Sequence, residues 1–446
     1  MASLLFSFLS LALVLTTLFL RSCGFLPTAS ADLLATVPVK SDSGSLLVLC
    51  GRLIDGSGEE VKENMWVRIE HGRIEKVGKV LYTPRDLPKL DLSDHTCLPG
   101  LIDMHVHLIE GPEELVDLTA YYDFSLEDNL EKGRLFAQRT LEAGFTTVRN
   151  VGNYYGWADQ VLRDEIEHGQ TVGPRMQIAG YYLTVPGGGG DVLEVGGDEA
   201  RIPAQLRMGV SRSPEEFRRN AQEAVDGGAG VVKLIASGAV LAYGGVPGEP
   251  EMTPPEIRAV VEVAEQAGLP VAAHAHGAQS IREAILAGAT TIEHATYIDQ
   301  LGMQLAVEHD VALVMEIGVG DWMIEEGRKA GWVEEFLRKT IETTDIQRQN
   351  FRRAHEAGVR IIYGTDAGIY PHGMNAIQFA YLVKWGMTPM EAIQSATSAA
   401  ARYLGWEDRV GSLKPGLMGD LVAVKGNPLE DISLLGNVTF VMKDGK

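Results

Sequence analysis

The sequence predicts an α/β fold, a (β/α)8 TIM-like barrel with a small β-sandwich domain built from both chain ends. Eight short apolar runs alternate with helical patterns over roughly 300 residues, as expected for such a barrel, and strand-like alternation lies on both sides of them. The 446 residues, 45% hydrophobic and 22% charged, suffice for one large and one smaller domain. A doubly wound open sheet is the alternative, but its glycine-rich first turn is absent.

The composition excludes two classes of partner. The 39 Lys and Arg residues stand against 60 Asp and Glu residues, so the formal net charge is −21. Nucleic acids and anionic membrane surfaces bind clusters of basic residues, and no basic run occurs in this chain. We therefore expect neither nucleic acid nor a stable membrane partner, unless an N-terminal anchor is retained.

Residues 1–31 are predicted to be a targeting segment rather than part of the fold. The apolar run 4–20 has only Ser and Thr as polar residues, and the small residues at 28–31 suit signal peptidase. We expect a signal peptide and export to the periplasm or the outside of the cell. An uncleaved N-terminal anchor is the alternative, although a run of 17 residues is short for a membrane span.

Strand-like alternation at both chain ends predicts the smaller domain. Residues 46–50, 65–70 and 73–77 are separated by glycine-containing turns, which is typical of hairpins, and the pattern returns after residue 406. We assign residues 44–100 and 407–446 to this domain. Its Cys50 and Cys97 could pair in an oxidising compartment. Two buried free thiols are the favoured interpretation, because spacing alone does not show proximity.

The barrel is predicted over residues 101–406. Several of its helical patterns end in Ala-Gly, the glycine stop expected at a helix C-terminus. In such a barrel the functional groups gather at the C-terminal ends of the strands. The eight runs predicted as strands are 101–108, 146–151, 175–179, 231–236, 270–276, 291–295, 311–316 and 360–364.

Metal-ligating residue types stand on five of these runs. A spacing of two residues places both histidines of a pair on one face of a strand. Five of the 11 histidines at matching positions predict a metal site. The residues are His105 and His107 on the first run, Lys233 on the fourth, His274 and His276 on the fifth, His294 on the sixth and Asp366 on the eighth.

Lys233 needs a separate explanation. An ammonium group is costly to bury unless it is paired, and it cannot bind a metal. The neutral amine can instead combine with carbon dioxide to give an anionic carbamate, whose two oxygens can bridge two cations. An ion pair between Lys233 and Asp366 is the alternative.

The chain resembles the amidohydrolase superfamily, in the imidazolonepropionase-related branch that includes metal-dependent dipeptidases, prolidase-like enzymes and ochratoxin-hydrolysing amidases. The resemblance covers about residues 45–446 in order. The segments that carry it are 98–107, 144–149, 232–238, 270–277, 292–294, 363–368 and 413–421.

This resemblance implies a site with two divalent metal ions, usually zinc, and a homo-oligomeric protein. His105, His107 and Asp366 would hold the first ion. His274 and His294 would hold the second, and N6-carboxylated Lys233 would bridge both.

The implied reaction is cleavage of an amide or peptide bond in a small carboxylate-bearing substrate: a dipeptide, an N-acyl amino acid or an ochratoxin-like amide. Two metals lower the pKa of a bridging water, so that hydroxide attacks the amide carbonyl. Asp366 would take the proton and deliver it to the leaving amine. His276 would donate a hydrogen bond to the developing oxyanion.

Four residues are candidates for substrate binding. His276 shares a strand end with His274, while Tyr243 and His372 lie on loops that follow Lys233 and Asp366. Arg149 lies near the end of the second run and could meet a substrate carboxylate, although pairing with an internal acid is the simpler expectation.

Two other functions compete with this one. A cyclic-amide hydrolase of the imidazolonepropionase type is the first, but that chemistry usually runs with one metal and needs no bridging lysine. A non-catalytic scaffold with an amidohydrolase fold is the second, but such proteins lose metal ligands, and here all six positions are filled.

Overall fold

The computed structural model describes residues 44–83, 86–112, 115, 118–195 and 199–446. The predicted targeting segment, residues 1–31, lies outside these ranges. The chain from Val39 to Lys446 forms one compact unit. None of the helices within the described residues is long and apolar enough to cross a bilayer.

The barrel wall contains a strand at each of the eight predicted runs. All neighbouring strands pair in parallel, as three strands in the order β5-β6-β7 and five in the order β8-β9-β10-β11-β12. The strands are β5 (Leu101–Val106), β6 (Phe145–Asn150), β7 (Arg175–Ile178), β8 (Val232–Ile235), β9 (Val271–Ala275), β10 (Thr291–His294), β11 (Ala312–Val314) and β12 (Ile361–Ile362).

Backbone hydrogen bonds join the two arcs of the wall. On one side Leu183 N donates to Lys233 O at 2.9 Å, and on the other Met104 N donates to Tyr363 O at 3.0 Å. Burial of apolar side chains on every one of these strands gives the barrel a closed core. The predicted fold class is confirmed.

Helices alternate with the barrel strands, as the sequence pattern predicts. Several begin at a side-chain cap, such as Ser125, which forms a capping box with Asp128. They are α1 (Leu126–Glu142), α2 (Ala158–Glu167), α3 (Pro214–Asp226), α4 (Pro254–Gln266), α5 (Ala278–Ala287), α6 (Gln300–Glu308), α7 (Val319–Ala330), α8 (Glu334–Glu356), α9 (Ile377–Lys384), α10 (Pro389–Ser395) and α11 (Ser398–Leu404).

Strands from both chain ends join in one separate six-stranded sheet. Its order is β14-β13-β4-β1-β2-β3, with β1 and β4 parallel and the other neighbours antiparallel. One face packs on its own apolar cluster, which includes Val48, Val67 and Leu421. The strands are β1 (Ser45–Leu53), β2 (Lys62–Glu70), β3 (Arg73–Lys79), β4 (Lys89–Pro99), β13 (Leu421–Lys425) and β14 (Phe440–Met442).

Cys50 and Cys97 are joined by a disulfide bond within this sheet, with their Cα atoms 5.9 Å apart. The interpretation of these residues as two free thiols is wrong. The physical reason is that β1 and β4 are hydrogen-bonded neighbours, although 47 residues separate the two cysteines in the sequence.

The sheet passes directly into the barrel at Gly100, between β4 and β5. A Cβ atom at this position would lie 2.0 Å from Oγ1 of Thr146, so only glycine fits there. A buried ion pair lies close by, where Arg175 of β7 contacts Asp420 at 2.7 Å just before β13. These contacts hold the first barrel strands in register with the sheet that precedes them.

Candidate metal centre and active site

A cavity opens at the C-terminal ends of the barrel strands, where the predicted ligands meet. All six predicted metal ligands line it, together with His276. The apolar part of its wall includes Val240 and Leu241 from the loop after β8, and Val319 and Met323 from α7. The six ligands and His276 therefore lie together at the C-terminal ends of the strands, where the sequence predicts the functional groups.

His105 and His107 both point into the cavity from the end of β5. Their Nε2 atoms lie 3.5 Å and 3.3 Å from Oδ1 of Asp366, which follows β12 on the adjoining side of the barrel. The backbone N–H of Asp366 donates to the carbonyl of His105 at 2.8 Å. The first strand and the eighth strand thus deliver one compact group of donors.

Hydrogen bonds fix which imidazole nitrogen faces the cavity. Nδ1 of His105 donates to Oε2 of Glu293 at 2.8 Å, and Nδ1 of His107 donates to the carbonyl of Gly152 at 2.8 Å. Nδ1 of His294 likewise donates to Oε2 of Glu316 at 2.8 Å. In each ring the protein thus holds Nδ1 and turns Nε2 toward the cavity, the arrangement that metal-ligating histidines adopt.

A second group of imidazoles comes from β9 and β10. Nitrogen atoms of His274, His276 and His294 all lie within 4.8 Å of one another. Nε2 of His274 is buried without a hydrogen-bond partner among the described residues. Such an unpartnered buried nitrogen fits a metal ligand, because a buried polar atom otherwise costs free energy.

These imidazoles are held neutral. Burial, with the neighbouring His294 as a further cause, lowers the pKa of His274 well below its usual range. Burial and His294 do the same to the pKa of His276, and burial lowers the pKa of His294 to about 4. Neutral imidazole is the form that binds a metal.

Lys233 lies on β8 beneath the cavity, and only 2% of the residue is exposed. Burial lowers the pKa of its amine to about 8. Within the described ranges, no carboxylate oxygen lies within 4 Å of its Nζ atom, so the alternative of an ion pair with Asp366 is not found. An unpaired buried amine with a lowered pKa suits carbamate formation.

Asp366 and His294 share an unusual backbone conformation. Their φ angles are +59° and +69°, in the left-handed region that non-glycine residues seldom adopt. Strain of this kind concentrates at functional sites, where the surrounding structure enforces it. Burial would raise the pKa of Asp366, but its hydrogen bond with His107 and the surrounding imidazoles hold that pKa well below its usual range.

The donors present fit divalent metal ions. Imidazole nitrogens, a carboxylate and a buried amine converge from five strand ends, and two overlapping groups lie within ligating distance of one another. One group is His105, His294 and Asp366, and the other is His274, His276 and His294. The ring centroid of His294 lies 4.5 Å from that of His274 and 4.8 Å from that of His276, so both imidazoles are near it. The assignment of His274 to the metal and of His276 to the substrate therefore stays a prediction.

Three predicted substrate-binding residues do not line the cavity. Arg149 is fully buried beneath it and donates to Glu293 at 2.8 Å, to Thr291 and to the carbonyl of Met104. The expectation that Arg149 meets a substrate carboxylate is therefore corrected: its nitrogens are committed to internal acceptors. Pairing with an internal acid, the alternative considered for the sequence, is what the structure contains.

Tyr243 and His372 are also displaced from the cavity. Tyr243 packs against Phe336 of α8, in an apolar cluster that also includes the cavity-lining residues Leu241 and Met323, so it lies behind the wall rather than on it. His372 is buried with its ring stacked on Phe136 of α1, and its Nε2 faces the carbonyl of Glu110 at 3.0 Å. Of the four candidates, His276 alone lies on the described cavity wall.

Two important carboxylates were missed by sequence reasoning. Glu293 and Glu316 are buried, and they orient His105 and His294. The signal was available, since Glu316 ends the seventh run and Glu293 directly precedes His294. Against the effect of burial, the Arg149 guanidinium holds the pKa of Glu293 well below its usual range, so Glu293 is an anion.

Comparison with known proteins agrees with this geometry. Residues 96–446 match the model of the amidohydrolase family. The ochratoxinase of Aspergillus niger is 30% identical over 422 residues, which is 90% of this chain and 86% of the relative. An imidazolonepropionase of Erwinia tasmaniensis is 24% identical over 353 residues, 75% of this chain and 79% of the relative.

A solved structure is similar over nearly the whole described chain. It is a crystal structure of a Xaa-Pro dipeptidase with methionine bound in the active site, with a TM-score of 0.84 and 36% identity, covering 90% of this chain and 98% of that one. The chain therefore belongs to the amidohydrolase family and is a hydrolase of amide bonds.

Proposed function

We propose that this protein is a binuclear-metal-dependent amidohydrolase. Its substrate would be a small carboxylate-bearing amide: a dipeptide, an N-acyl amino acid or an ochratoxin-like amide. The observation that carries the proposal is that His105, His107 and His294 each have Nδ1 engaged in a hydrogen bond, so that each Nε2 faces the same cavity. The activities named for the relatives support the substrate classes.

The proposed ligand sets use the donors described above. His105, His107 and Asp366 would hold one ion, and His274 and His294 the other. Carboxylated Lys233 would bridge them, because the buried and unpaired amine can carry a carbamate. When bound, two divalent ions, most simply zinc, supply an acidified water and polarise the substrate carbonyl.

The side chains of the cavity would perform the proton and charge steps. Asp366, held ionised, would accept a proton from the attacking water and return it to the leaving amine. His276 would donate a hydrogen bond to the oxygen of the tetrahedral intermediate. Its Nδ1 lies 2.8 Å from Oγ1 of Thr296, which orients the ring and leaves Nε2 for this contact.

The free carboxylate of the substrate remains part of the proposal on the support of the relatives alone, since Arg149, Tyr243 and His372 lie off the cavity. Hydrolysis rates of dipeptides and of their C-terminal amides test it. Equal turnover of both forms would remove the carboxylate requirement and leave the amide hydrolase.

The proposed function is tested by purifying the protein and measuring its metal content and its activity on a library of dipeptides and N-acyl amino acids. We expect release of the amine product, its loss on chelation and its return with divalent metal. A protein that binds metal but cleaves no member of the library would contradict the proposed substrate classes.

We also propose that the protein is exported, as residues 1–31 predict. The bond between Cys50 and Cys97 supports this, because disulfides persist mainly in oxidising compartments. Fractionation of cells and mass determination of the protein would show whether the segment is removed.

A homo-oligomer stays a prediction from the resemblance, testable by light scattering.

A further inference from the structure

Glu110 lies on the cavity wall, three residues after His107, and the proposed reaction does not use it. Only 8% of the residue is exposed. Its Oε1 accepts the backbone N–H of Tyr154 at 2.9 Å, and its Oε2 lies 3.5 Å from the Tyr182 hydroxyl. Across the described residues, no Lys or Arg nitrogen lies within 4 Å of this carboxylate.

Three tyrosine rings form the wall beside Glu110. The ring centroids of Tyr121 and Tyr154 are 5.1 Å apart, and those of Tyr154 and Tyr182 are 5.3 Å apart. All three residues line the cavity. Aromatic rings attract cations, and a buried carboxylate is costly unless a cation pairs with it. A cationic group of a ligand would satisfy both features at once.

The charge of the described cavity wall also favours a cationic ligand group. It carries three carboxylates, those of Glu110, Glu316 and Asp366. Lys233 is its one lysine, and the described lining includes no arginine. In the proposed function Lys233 becomes an anionic carbamate and, with Asp366, it would hold the two metal ions. Glu110 is not among the proposed ligands, so its negative charge is left for a positive ligand group.

The position of Glu110 relative to the proposed ligands limits which cation fits. The Tyr182 hydroxyl lies 3.0 Å from Nδ1 of His107 and 3.5 Å from Oε2 of Glu110. A single phenol hydroxyl therefore separates the carboxylate from a proposed ligand. In a dipeptide the α-ammonium is bonded to the carbon next to the scissile carbonyl, so it lies close to the carbonyl carbon that is attacked.

We propose that Glu110, with Tyr121, Tyr154 and Tyr182, binds the α-ammonium of a dipeptide and so sets a preference for free dipeptides over N-acyl amino acids. This inference rests on the proposed function and sharpens it. It makes Glu110 a specificity-determining residue with no part in proton transfer. Its effect acts on substrate binding, through KM and kcat/KM for substrates with a free amine.

The test compares three matched substrates for each of several Xaa-Phe and Xaa-Pro sequences: the free dipeptide, its N-acetyl form and its des-amino form. We expect wild-type kcat/KM to be about thirtyfold or more higher for the free dipeptide, as for other buried charge pairs. In Glu110→Gln this ratio would fall by about thirtyfold, mainly through KM. Glu407→Gln, a change at an exposed position off the cavity, is the matched control and would keep the wild-type ratio.

The outcomes separate the two proposals. Hydrolysis of all three forms at equal rates, or a Glu110→Gln ratio equal to that of wild type, would overturn the role of Glu110 and leave the amide hydrolase standing. No hydrolysis of any form by metal-loaded wild type would count against the proposed function itself. If Glu110→Gln does not fold, the wild-type comparison of free and des-amino substrates still tests the preference for a free amine, and equal rates for the two would overturn the role of Glu110.

Discussion

Nδ1 of His105 lies 2.8 Å from Oε2 of Glu293, and both side chains are almost fully buried beneath the cavity. The other oxygen of Glu293 accepts from Arg149 at 2.8 Å. This contact makes Nε2 of His105 the nitrogen that faces Asp366. The orientation of His105 in the candidate metal centre thus depends on a buried ion pair, between Arg149 and Glu293, that lies behind the cavity wall.

Replacement of Glu293 by Gln would weaken metal binding by about 10- to 100-fold, the usual effect of changing the group that orients a ligating histidine. An amide is a weaker acceptor than a carboxylate, and it leaves Arg149 without its anion. Competition with a chromophoric chelator measures the affinity, with Glu407→Gln as the control at an exposed position. Wild-type affinity in Glu293→Gln would show that His105 does not depend on this contact.

Replacement of Lys233 by Arg would abolish activity and lower the metal content, because a guanidinium cannot form a carbamate and stays charged. Lys233→Glu is the matched variant, since its carboxylate places an anionic group on the same strand. We expect Lys233→Glu to retain more metal than Lys233→Arg, as measured by elemental analysis. Full metal content and activity in Lys233→Arg would rule out the carbamate.

Replacement of Arg149 by Met would destabilise the protein by about 3–5 kcal/mol, the range for removing one partner of a buried ion pair. The cause is the Glu293 carboxylate left buried without its cation. Urea unfolding of the metal-free protein measures the loss. A raised KM with unchanged stability would instead return Arg149 to the substrate-binding residues.

Replacement of both Cys50 and Cys97 by Ala would lower stability by about 4 kcal/mol on the chain-entropy account of a loop this long. The active site should be spared, because the disulfide lies in the separate sheet. Thermal unfolding and metal content give the two readouts. An unchanged unfolding temperature would show that the bond is not formed in the purified protein.

Much of the fold was accessible from the sequence, because barrel strands are buried on both faces and appear as short apolar runs. Each of the eight runs contains a strand of the structure. The metal-binding candidates followed from the same pattern, since the ends of parallel strands meet at one face. Lys233 stood out because its charge conflicts with the apolar residues around it.

Contacts that depend on the direction of a side chain could not be predicted from the sequence. Arg149 and Glu293 lie on strands that are not neighbours, and they meet only across the barrel interior. Tyr243 and His372 follow strand ends in the sequence, but their loops turn them toward α8 and α1. The pairing of Cys50 with Cys97 required the order of strands in the sheet, which hairpin patterns alone did not give.

Metal stoichiometry, measured together with activity, tests the two-metal hydrolase most directly. Purified protein would be stripped with a chelator and titrated with zinc while hydrolysis of a dipeptide panel is followed. We expect activity to rise until two equivalents per chain are bound, and Asp366→Asn to show no activity at any loading. Full activity at one equivalent per chain, or activity that persists in the stripped protein, would contradict a binuclear mechanism.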